Sequence, residues 1–135
     1  MITSSSKYGR FHMDKSEYDI LIIDDSKYVI DFMEKFLGFK GYSSKAVNST
    51  LQATEELKVN KPKLIILDIN LPDSNGYEFC KMVKSNEKYK GILVYYFSGV
   101  PESEVRIKTI ETKADGYLKK PFDVTDFDDL LEYLD

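Results

Sequence analysis

Short apolar runs recur along this chain, each followed by charged residues, small polar residues or glycine. These runs predict β-strands at residues 20–23, 42–47, 64–67, 92–97 and 116–118. In the third, four aliphatic residues lie between Pro62 and Pro72, a segment too short to form a helix. Strands that are apolar throughout are typical of a parallel sheet that is covered on both faces.

The segments between the predicted strands carry apolar residues at helical spacing. The first helix has an apolar stripe that ends before Gly38 and consists of Val29, Phe32, Met33, Phe36 and Leu37. A second helix is predicted at residues 49–59, with Asn48 or Ser49 as its N-cap. A third follows the turn residues 72–76, and its predicted inner face consists of Gly76, Phe79, Cys80 and Val83.

Two further helices complete the pattern. The fourth begins at Pro101 and carries Ile107, Ile110 and Ala114 at helical spacing. The fifth follows a predicted cap at Asp123, and its apolar face consists of Phe127, Leu130, Leu131 and Leu134. Five strands that alternate with five helices imply right-handed βαβ crossovers. We therefore predict an α/β fold with a doubly wound, five-stranded parallel sheet.

The chain length and its polar beginning set the domain organisation. A chain of 135 residues is long enough for one hydrophobic core and too short for two ordinary domains. Residues 1–17 are polar, serine-rich and without periodicity, so we interpret them as a flexible leader, with the pair His12-Met13 as a candidate cloning remnant. Residues 18–135 are expected to form the single domain, and no effector domain is expected after the last helix.

The composition of the chain argues against several classes of function. A formal net charge of −4 without a basic stripe argues against a nucleic-acid partner. A single cysteine, Cys80, and a single histidine, His12, exclude an internal disulfide and a zinc cluster. The apolar runs are far shorter than the roughly 18 residues that a membrane span needs. We therefore expect a cytoplasmic protein that contacts neither a membrane nor nucleic acid.

Functional side chains follow four of the five predicted strands. Asp24 and Asp25 follow the first strand, Asp68 ends the third, Ser98 follows the fourth and Lys120 follows the fifth. In an open parallel sheet, ligands bind outside the carboxyl ends of the strands. We therefore expect three carboxylates, a hydroxyl and an ammonium group to lie at one edge of the sheet.

This combination of groups indicates a metal ion and a phosphoryl group. Three neighbouring carboxylates cannot all stay ionised without a counter-charge, and Mg²⁺ is a hard cation that takes oxygen ligands and shares its shell with phosphate. Mg²⁺ does not require Lys120 or Ser98 as ligands. An ammonium group and a hydroxyl donor are, however, suitable partners for the oxygens of an incoming phosphoryl group. Asp68 is then either a metal ligand only or the nucleophile that accepts the phosphoryl group.

Four segments of the chain together resemble the receiver domain of two-component response regulators, over residues 18–135. They are IIDDS at 22–26, LDINLPDSNGYE at 67–78, FSG at 97–99 and ADGYLKKPF at 114–122. The resemblance implies a flavodoxin-like fold and a chemotaxis-type, single-domain receiver. Such a domain takes a phosphoryl group from a histidine kinase or a phosphotransfer protein and signals to a partner protein by conformational change. It loses the phosphoryl group by itself and is not expected to turn over an external substrate.

The resemblance also implies a role for each matching residue. Asp68 is the phosphoacceptor. It binds Mg²⁺ together with Asp25 and the backbone carbonyl of Asn70, and Asp24 acts mostly through a metal-bound water. Lys120 contacts the phosphoryl group, whereas Lys119 is expected to be solvated. Ser98 bonds the phosphoryl group, and the rotamer of Tyr117 follows Ser98. The downstream target is expected to bind the face formed by helix four, strand five and helix five.

Two alternative functions remain compatible with the residues. A Mg²⁺-dependent aspartyl-phosphate phosphohydrolase of the haloacid-dehalogenase type would typically have a second aspartate two residues after the nucleophile, where this chain has Asn70. A pseudo-receiver would only bind partners, and the presence of every phosphorylation residue disfavours it. Multiple-turnover release of phosphate would favour the phosphohydrolase, and the absence of Mg²⁺ binding would favour the pseudo-receiver.

Overall fold

A five-stranded parallel sheet forms the centre of the computed structural model, which describes residues 16–71, 76–121 and 123–134. The predicted turn at residues 72–75 and the predicted leader up to residue 15 lie outside the described residues. The strands are β1 (Ile20–Ile23), β2 (Ser44–Val47), β3 (Leu64–Asp68), β4 (Leu93–Ser98) and β5 (Gly116–Lys119). Their order is β2-β1-β3-β4-β5, and all neighbouring pairs are parallel.

Five α-helices connect and follow the strands in the described part of the chain. They are α1 (Lys27–Phe39), α2 (Thr50–Leu57), α3 (Gly76–Ser85), α4 (Glu102–Thr112) and α5 (Val124–Leu134). A short 3₁₀ helix at Glu87–Tyr89, which the sequence pattern did not predict, lies between α3 and β4. The strand order is that of doubly wound flavodoxin-like folds, so the predicted fold class is confirmed.

Each face of the sheet is covered by its own hydrophobic cluster. On one face, helices α1 and α5 bury Met33, Leu37 and Phe127 against Ile22 and Ile66. The other face packs against α2, α3 and α4, through the buried side chains of Ala53, Leu57, Phe79, Val83 and Val105. Because both faces are covered, β1 and β3 are buried at every position, as their continuous apolar runs predicted. Within the described residues, no helix combines the length and apolar character that a membrane crossing requires.

Helix α4 is present where the sequence predicted it, but the apolar residues named from its spacing are not the ones it buries. The side chains of Ile107 and Ile110 are 55% and 74% exposed, and Ala114 lies beyond the end of the helix. The buried positions are Val105 and Thr112. The buried threonine is tolerated because its hydroxyl lies 2.6 Å from the hydroxyl of Tyr96, a hydrogen bond that offsets the cost of burying both groups.

Side-chain caps explain where two of the helices begin. The Oγ atom of Ser26 accepts a hydrogen bond from the N–H of Val29 at 3.4 Å, so α1 begins directly after the acidic pair that ends β1. At α2 the two predicted N-cap candidates are resolved in favour of Ser49, whose Oγ atom accepts from the N–H of Gln52 at 3.1 Å. These two caps set the first residues of α1 and α2.

Gly76 marks a close approach between α3 and the end of β3. A Cβ atom at this position would lie 2.9 Å from the Cα atom of Ile69 and 3.1 Å from the carbonyl oxygen of Asp68. These are backbone atoms, so Gly76→Ala should lower the free energy of unfolding by about 1–3 kcal/mol. Gly38→Ala is the matched control, because its Cβ would meet nothing within 4 Å and alanine favours the helix. Equal stability of the two variants in urea unfolding would contradict this account of the β3–α3 junction.

Candidate functional site

Three carboxylates lie together at the carboxyl-terminal edge of the sheet. Asp24 and Asp25 follow β1, and Asp68 is the last residue of β3. The sheet pairs β1 with β3 directly, and one carboxylate oxygen from each of the three residues lies within 4.8 Å of the others. Asp24 and Asp68 are only 1% and 5% exposed, whereas Asp25 is exposed. The site is therefore a buried acidic pair with one carboxylate at its opening.

Lys120 supplies the positive charge that faces this cluster. Its Nζ atom lies 3.2 Å from Oδ2 of Asp24 and 3.5 Å from Oδ2 of Asp68. The N–H of Lys120 donates to the carbonyl oxygen of Ser98 at 2.9 Å, so the residue that follows β5 is fixed to the end of β4. The ammonium group is also 5.0 Å from the ring centre of Phe97. The structure thus brings Asp24, Asp68 and Lys120 into contact.

Only one of the two carboxylate oxygens of Asp24 accepts a hydrogen bond. Oδ1 of Asp24 accepts a hydrogen bond from the N–H of Ser26 at 2.9 Å, but its buried Oδ2 atom accepts none. The Lys120 ammonium near this Oδ2 atom forms a close ion pair without hydrogen-bond geometry. A buried carboxylate oxygen that lacks a hydrogen bond is costly unless a further charged group binds it.

The electrostatics of Asp68 combine opposing contributions. Burial raises the pKa of Asp68, and the negative charges of Asp24 and Asp25 raise it further. The N–H of Asn70, which donates to Oδ1 at 3.0 Å, and the charge of Lys120 both act to lower the pKa. Burial is the largest of these contributions, and the pKa of Asp68 stays above its ordinary value. An additional positive charge at the site would therefore favour its ionised form.

The donor set fits a hard divalent cation. Three carboxylates meet at one point, and the buried Oδ2 atom of Asp24 still lacks a hydrogen-bond donor. Carboxylate oxygens are the ligands that Mg²⁺ takes from proteins, usually together with water and phosphate oxygens. Asn70, whose backbone carbonyl was predicted as a further ligand, is exposed and lies two residues after Asp68. The predicted Mg²⁺ site thus has the required chemistry in the residues that line it.

Ser98 lies at the same edge of the sheet as the acidic cluster. It is the last residue of β4, is 3% exposed, and follows Phe97, which pairs with Asp68 in the β3–β4 register. Its Oγ atom accepts a hydrogen bond from the N–H of Val100 at 3.0 Å. The hydroxyl is therefore bound to its own loop in this structure.

Tyr117 lies on β5, opposite Tyr96 of β4, and its side chain is half-buried. Its hydroxyl donates to Oε2 of Glu102 at 3.0 Å, so the ring is directed to the start of α4. Glu102 also lies 3.3 Å from the Nζ atom of Lys119, which is exposed as predicted but ion-paired. The sequence interpretation did not single out Glu102, and its only signal was an acidic residue directly after Pro101 at a helix start.

Comparison with known proteins agrees with this geometry. The family model described as "Response regulator receiver domain" matches residues 20–133. This chain belongs to the response regulator receiver family. The match spans every described strand and α1 to α4 completely, and it ends within the last turn of α5.

Response regulators are among the relatives and the solved structures that this chain resembles. The transcriptional regulatory protein GltR of Pseudomonas aeruginosa is 26% identical over 110 residues, covering 82% of this chain and 46% of GltR. The response regulator MprA of Mycobacterium leprae is 31% identical over 103 residues, covering 76% of this chain and 44% of MprA. A crystal structure of a two-component response regulator from Clostridium difficile is 25% identical, with a TM-score of 0.79 and coverage of 87% of this chain and 95% of that chain. The receiver chain thus spans less than half the length of these curated relatives.

Replacing Lys120 should destabilise the receiver at neutral pH. In Lys120→Ala the buried carboxylates of Asp24 and Asp68 lose their nearest cation. We expect the free energy of unfolding in metal-free buffer to fall by about 1–2 kcal/mol, less than for a fully buried pair because the lysine side chain is 27% exposed. Lys119→Ala removes a neighbouring lysine whose ion pair is solvent-exposed, so it should have little effect. Equal losses in the two variants, measured by urea unfolding, would show that Lys120 does not compensate the acidic cluster.

Proposed function

We propose that this receiver domain accepts one phosphoryl group on Asp68, with Mg²⁺ bound by Asp24, Asp25 and Asp68. The observation that carries the proposal is the meeting of three carboxylates and the Lys120 ammonium at the carboxyl end of the sheet. When bound, Mg²⁺ supplies positive charge that offsets the repulsion between the carboxylates and the phosphoryl oxygens. Asn70, whose N–H holds Asp68, is the proposed source of a further backbone oxygen ligand.

The proposed transfer balances as a displacement at phosphorus. A carboxylate oxygen of Asp68 forms a bond to the phosphorus of a phosphohistidine while the phosphorus–nitrogen bond breaks. The donor imidazole leaves with the bonding electron pair and takes up a proton from solvent. Lys120, whose ammonium already lies beside Asp68, stabilises the negative charge that the phosphoryl oxygens bring into the site. The product is an aspartyl phosphate at position 68.

The proposed signal starts from Ser98. After transfer, the Ser98 hydroxyl donates to a phosphoryl oxygen instead of accepting from the N–H of Val100, and Tyr117 turns into the space that Ser98 leaves. Phosphorylation shifts an existing equilibrium between two arrangements, since a local change of hydrogen bonds cannot build a new fold.

Two surfaces support the proposed partners. An apolar groove of about 270 Å³ lies directly beside Lys120 and is lined by α1 and by the residues around Pro121. It offers a contact surface to a histidine kinase or phosphotransfer protein whose phosphohistidine must reach Asp68. A second cleft of about 500 Å³ lies between α4, β5 and α5 and includes Tyr117, which supports this face as the binding site of a downstream protein. The cytoplasm is the compartment we expect for these exchanges.

The proposal is tested by incubating the chain with a small acyl phosphate and Mg²⁺. We expect the intact mass to increase by one phosphate per chain, and chelation of Mg²⁺ to prevent the increase. Repeated release of phosphate from an ordinary phosphoester would support the phosphohydrolase instead. No incorporation together with no Mg²⁺ binding would support a domain that acts only by binding partners.

A further inference from the structure

The carboxylate of Glu102 joins three side chains at the start of α4. Its Oε2 atom accepts from the Tyr117 hydroxyl at 3.0 Å and from Nη2 of Arg106 at 2.6 Å, and its Oε1 atom lies 3.3 Å from Nζ of Lys119. We propose that this group of four residues is a latch, in which Glu102 is a positioning residue that holds Tyr117 against α4 and favours the unphosphorylated arrangement. The inference rests on the proposed phosphorylation of Asp68, whose response it regulates.

The start of α4 has few other attachments. Its N-cap is Pro101, which forms no side-chain capping hydrogen bond, and the only buried residue of the first turns is Val105. Glu102 therefore does two things at once: it fixes the phenol of Tyr117, and it ties the first turn of α4 to β5 through Tyr117 and Lys119. A displacement of Glu102 or of Tyr117 therefore disturbs both the position of the phenol and the attachment of α4 to β5.

The chain connects the latch directly to the phosphorylation site. Only residues 99–101 separate Ser98 from Glu102. The Ser98 hydroxyl accepts from the N–H of Val100 in the middle of this link, so a Ser98 that turns to a phosphoryl group must release the loop. The released loop moves the first turn of α4, and Glu102 then no longer faces the Tyr117 hydroxyl. The latch thus opposes the change that phosphorylation brings about.

The exposure of Glu102 sets the size of the effect. Its side chain is 41% exposed, and exposed ion pairs contribute little individually. The hydrogen bond from Tyr117, followed by the contacts of Lys119 and Arg106, lowers the pKa of Glu102, so the group is a carboxylate at neutral pH. A latch of this strength biases the two arrangements by a few-fold and leaves the switch reversible.

The test compares Glu102→Ala with Glu104→Ala. Glu104 lies in the same first turn, is exposed, and forms no ion pair with any residue that the structure describes, so it is a matched control. The first readout is the ring signal of Tyr117 in the unphosphorylated protein, by NMR with ¹³C-labelled tyrosine. The second is the affinity for beryllium fluoride with Mg²⁺, a mimic of the phosphoryl group.

The latch predicts that Glu102→Ala changes the Tyr117 ring signals and tightens beryllium fluoride binding by roughly two- to five-fold. Glu104→Ala should behave like the wild type. Tyr117→Phe, which removes only the hydroxyl, should tighten binding similarly, and combining it with Glu102→Ala should add nothing further.

Two negative results have different meanings. Beryllium fluoride binding by Glu102→Ala that is no tighter than that of the wild type would overturn the latch and leave the proposed phosphorylation intact. Absence of beryllium fluoride binding in the wild type would contradict the proposed function, and with it the regulatory role of the latch.

Discussion

An Asp68→Asn variant should take up no phosphate from a small acyl phosphate in the presence of Mg²⁺. The amide that replaces the carboxylate is not a nucleophile under these conditions, so we expect complete loss rather than a slower reaction. Asp31→Asn is the control: it makes the same change on the exposed face of α1 and should be labelled like the wild type. Intact-mass measurement over time checks both variants, and equal labelling of Asp68→Asn would rule out Asp68 as the acceptor.

The same substitution should stabilise the metal-free protein at neutral pH. Burial and the charges of Asp24 and Asp25 raise the pKa of Asp68 in the folded state, so the folded protein binds this proton more tightly than the unfolded chain does. The resulting stability is fully present below the pKa of the unfolded state and is lost as the pH rises through the raised pKa of the folded state. Above that pH the ionised Asp68 is a net cost, which Asp68→Asn removes.

With the metal chelated, we expect Asp68→Asn to raise the free energy of unfolding at pH 7 by an amount on the order of 1–2 kcal/mol. The difference from the wild type should shrink as the pH falls through the raised pKa of Asp68, because protonation then removes the same charge. Urea unfolding at several pH values measures both effects. A variant that is less stable than the wild type at pH 7 without metal would contradict the electrostatic description of the site.

The second large effect is expected for Asp25→Asn, which should weaken Mg²⁺ binding at least about tenfold. Asp25 is the exposed member of the cluster and supplies one of the three charges that meet there. Asparagine has nearly the same size, so the substitution lowers the charge of the donor set, and the pair of Asp24 with Lys120 is kept. Calorimetric titration with Mg²⁺ measures the affinity, and Asp31→Asn again serves as the control. An unchanged affinity would place the metal away from β1.

Much of the fold could be predicted because its signals are local. The aliphatic runs at β1 and β3 contain no polar residue before the aspartates that follow or end them, and this composition is typical of strands that are buried on both faces. Helix α1 likewise buries Met33 and Leu37 from its predicted apolar stripe, although Phe32 in the same stripe stays half exposed. Alternation of such elements then leaves few possible topologies, of which the parallel doubly wound sheet is confirmed.

The composition of the site could be predicted for a related reason. The carboxyl ends of parallel strands meet at one edge, so Asp25, Asp68 and Lys120 could be placed together from their positions after strands alone. The structure shows that these groups lie close together. Their roles in metal binding and phosphoryl transfer remain predictions.

Contacts between distant surface side chains could not be predicted. Glu102 and Tyr117 are fifteen positions apart, and nothing in the local pattern indicates that one accepts a hydrogen bond from the other. The apolar face predicted for α4 was wrong for a similar reason: Thr112 is buried where its hydroxyl meets that of Tyr96, which lies on another element. Such pairings depend on how α4 packs against the sheet, which spacing along the helix does not determine.

The central claim is that Asp68, and no other carboxylate of the cluster, carries the phosphoryl group. The most direct measurement is to phosphorylate the chain with a small acyl phosphate and Mg²⁺, to reduce it with borohydride, and to map the modified residue by mass spectrometry. Borohydride converts an acyl phosphate to an alcohol and leaves free carboxylates unchanged. The account predicts one reduced side chain per molecule, at position 68. A reduced side chain at position 24 or 25, or none at all in a protein that has gained phosphate, would contradict it.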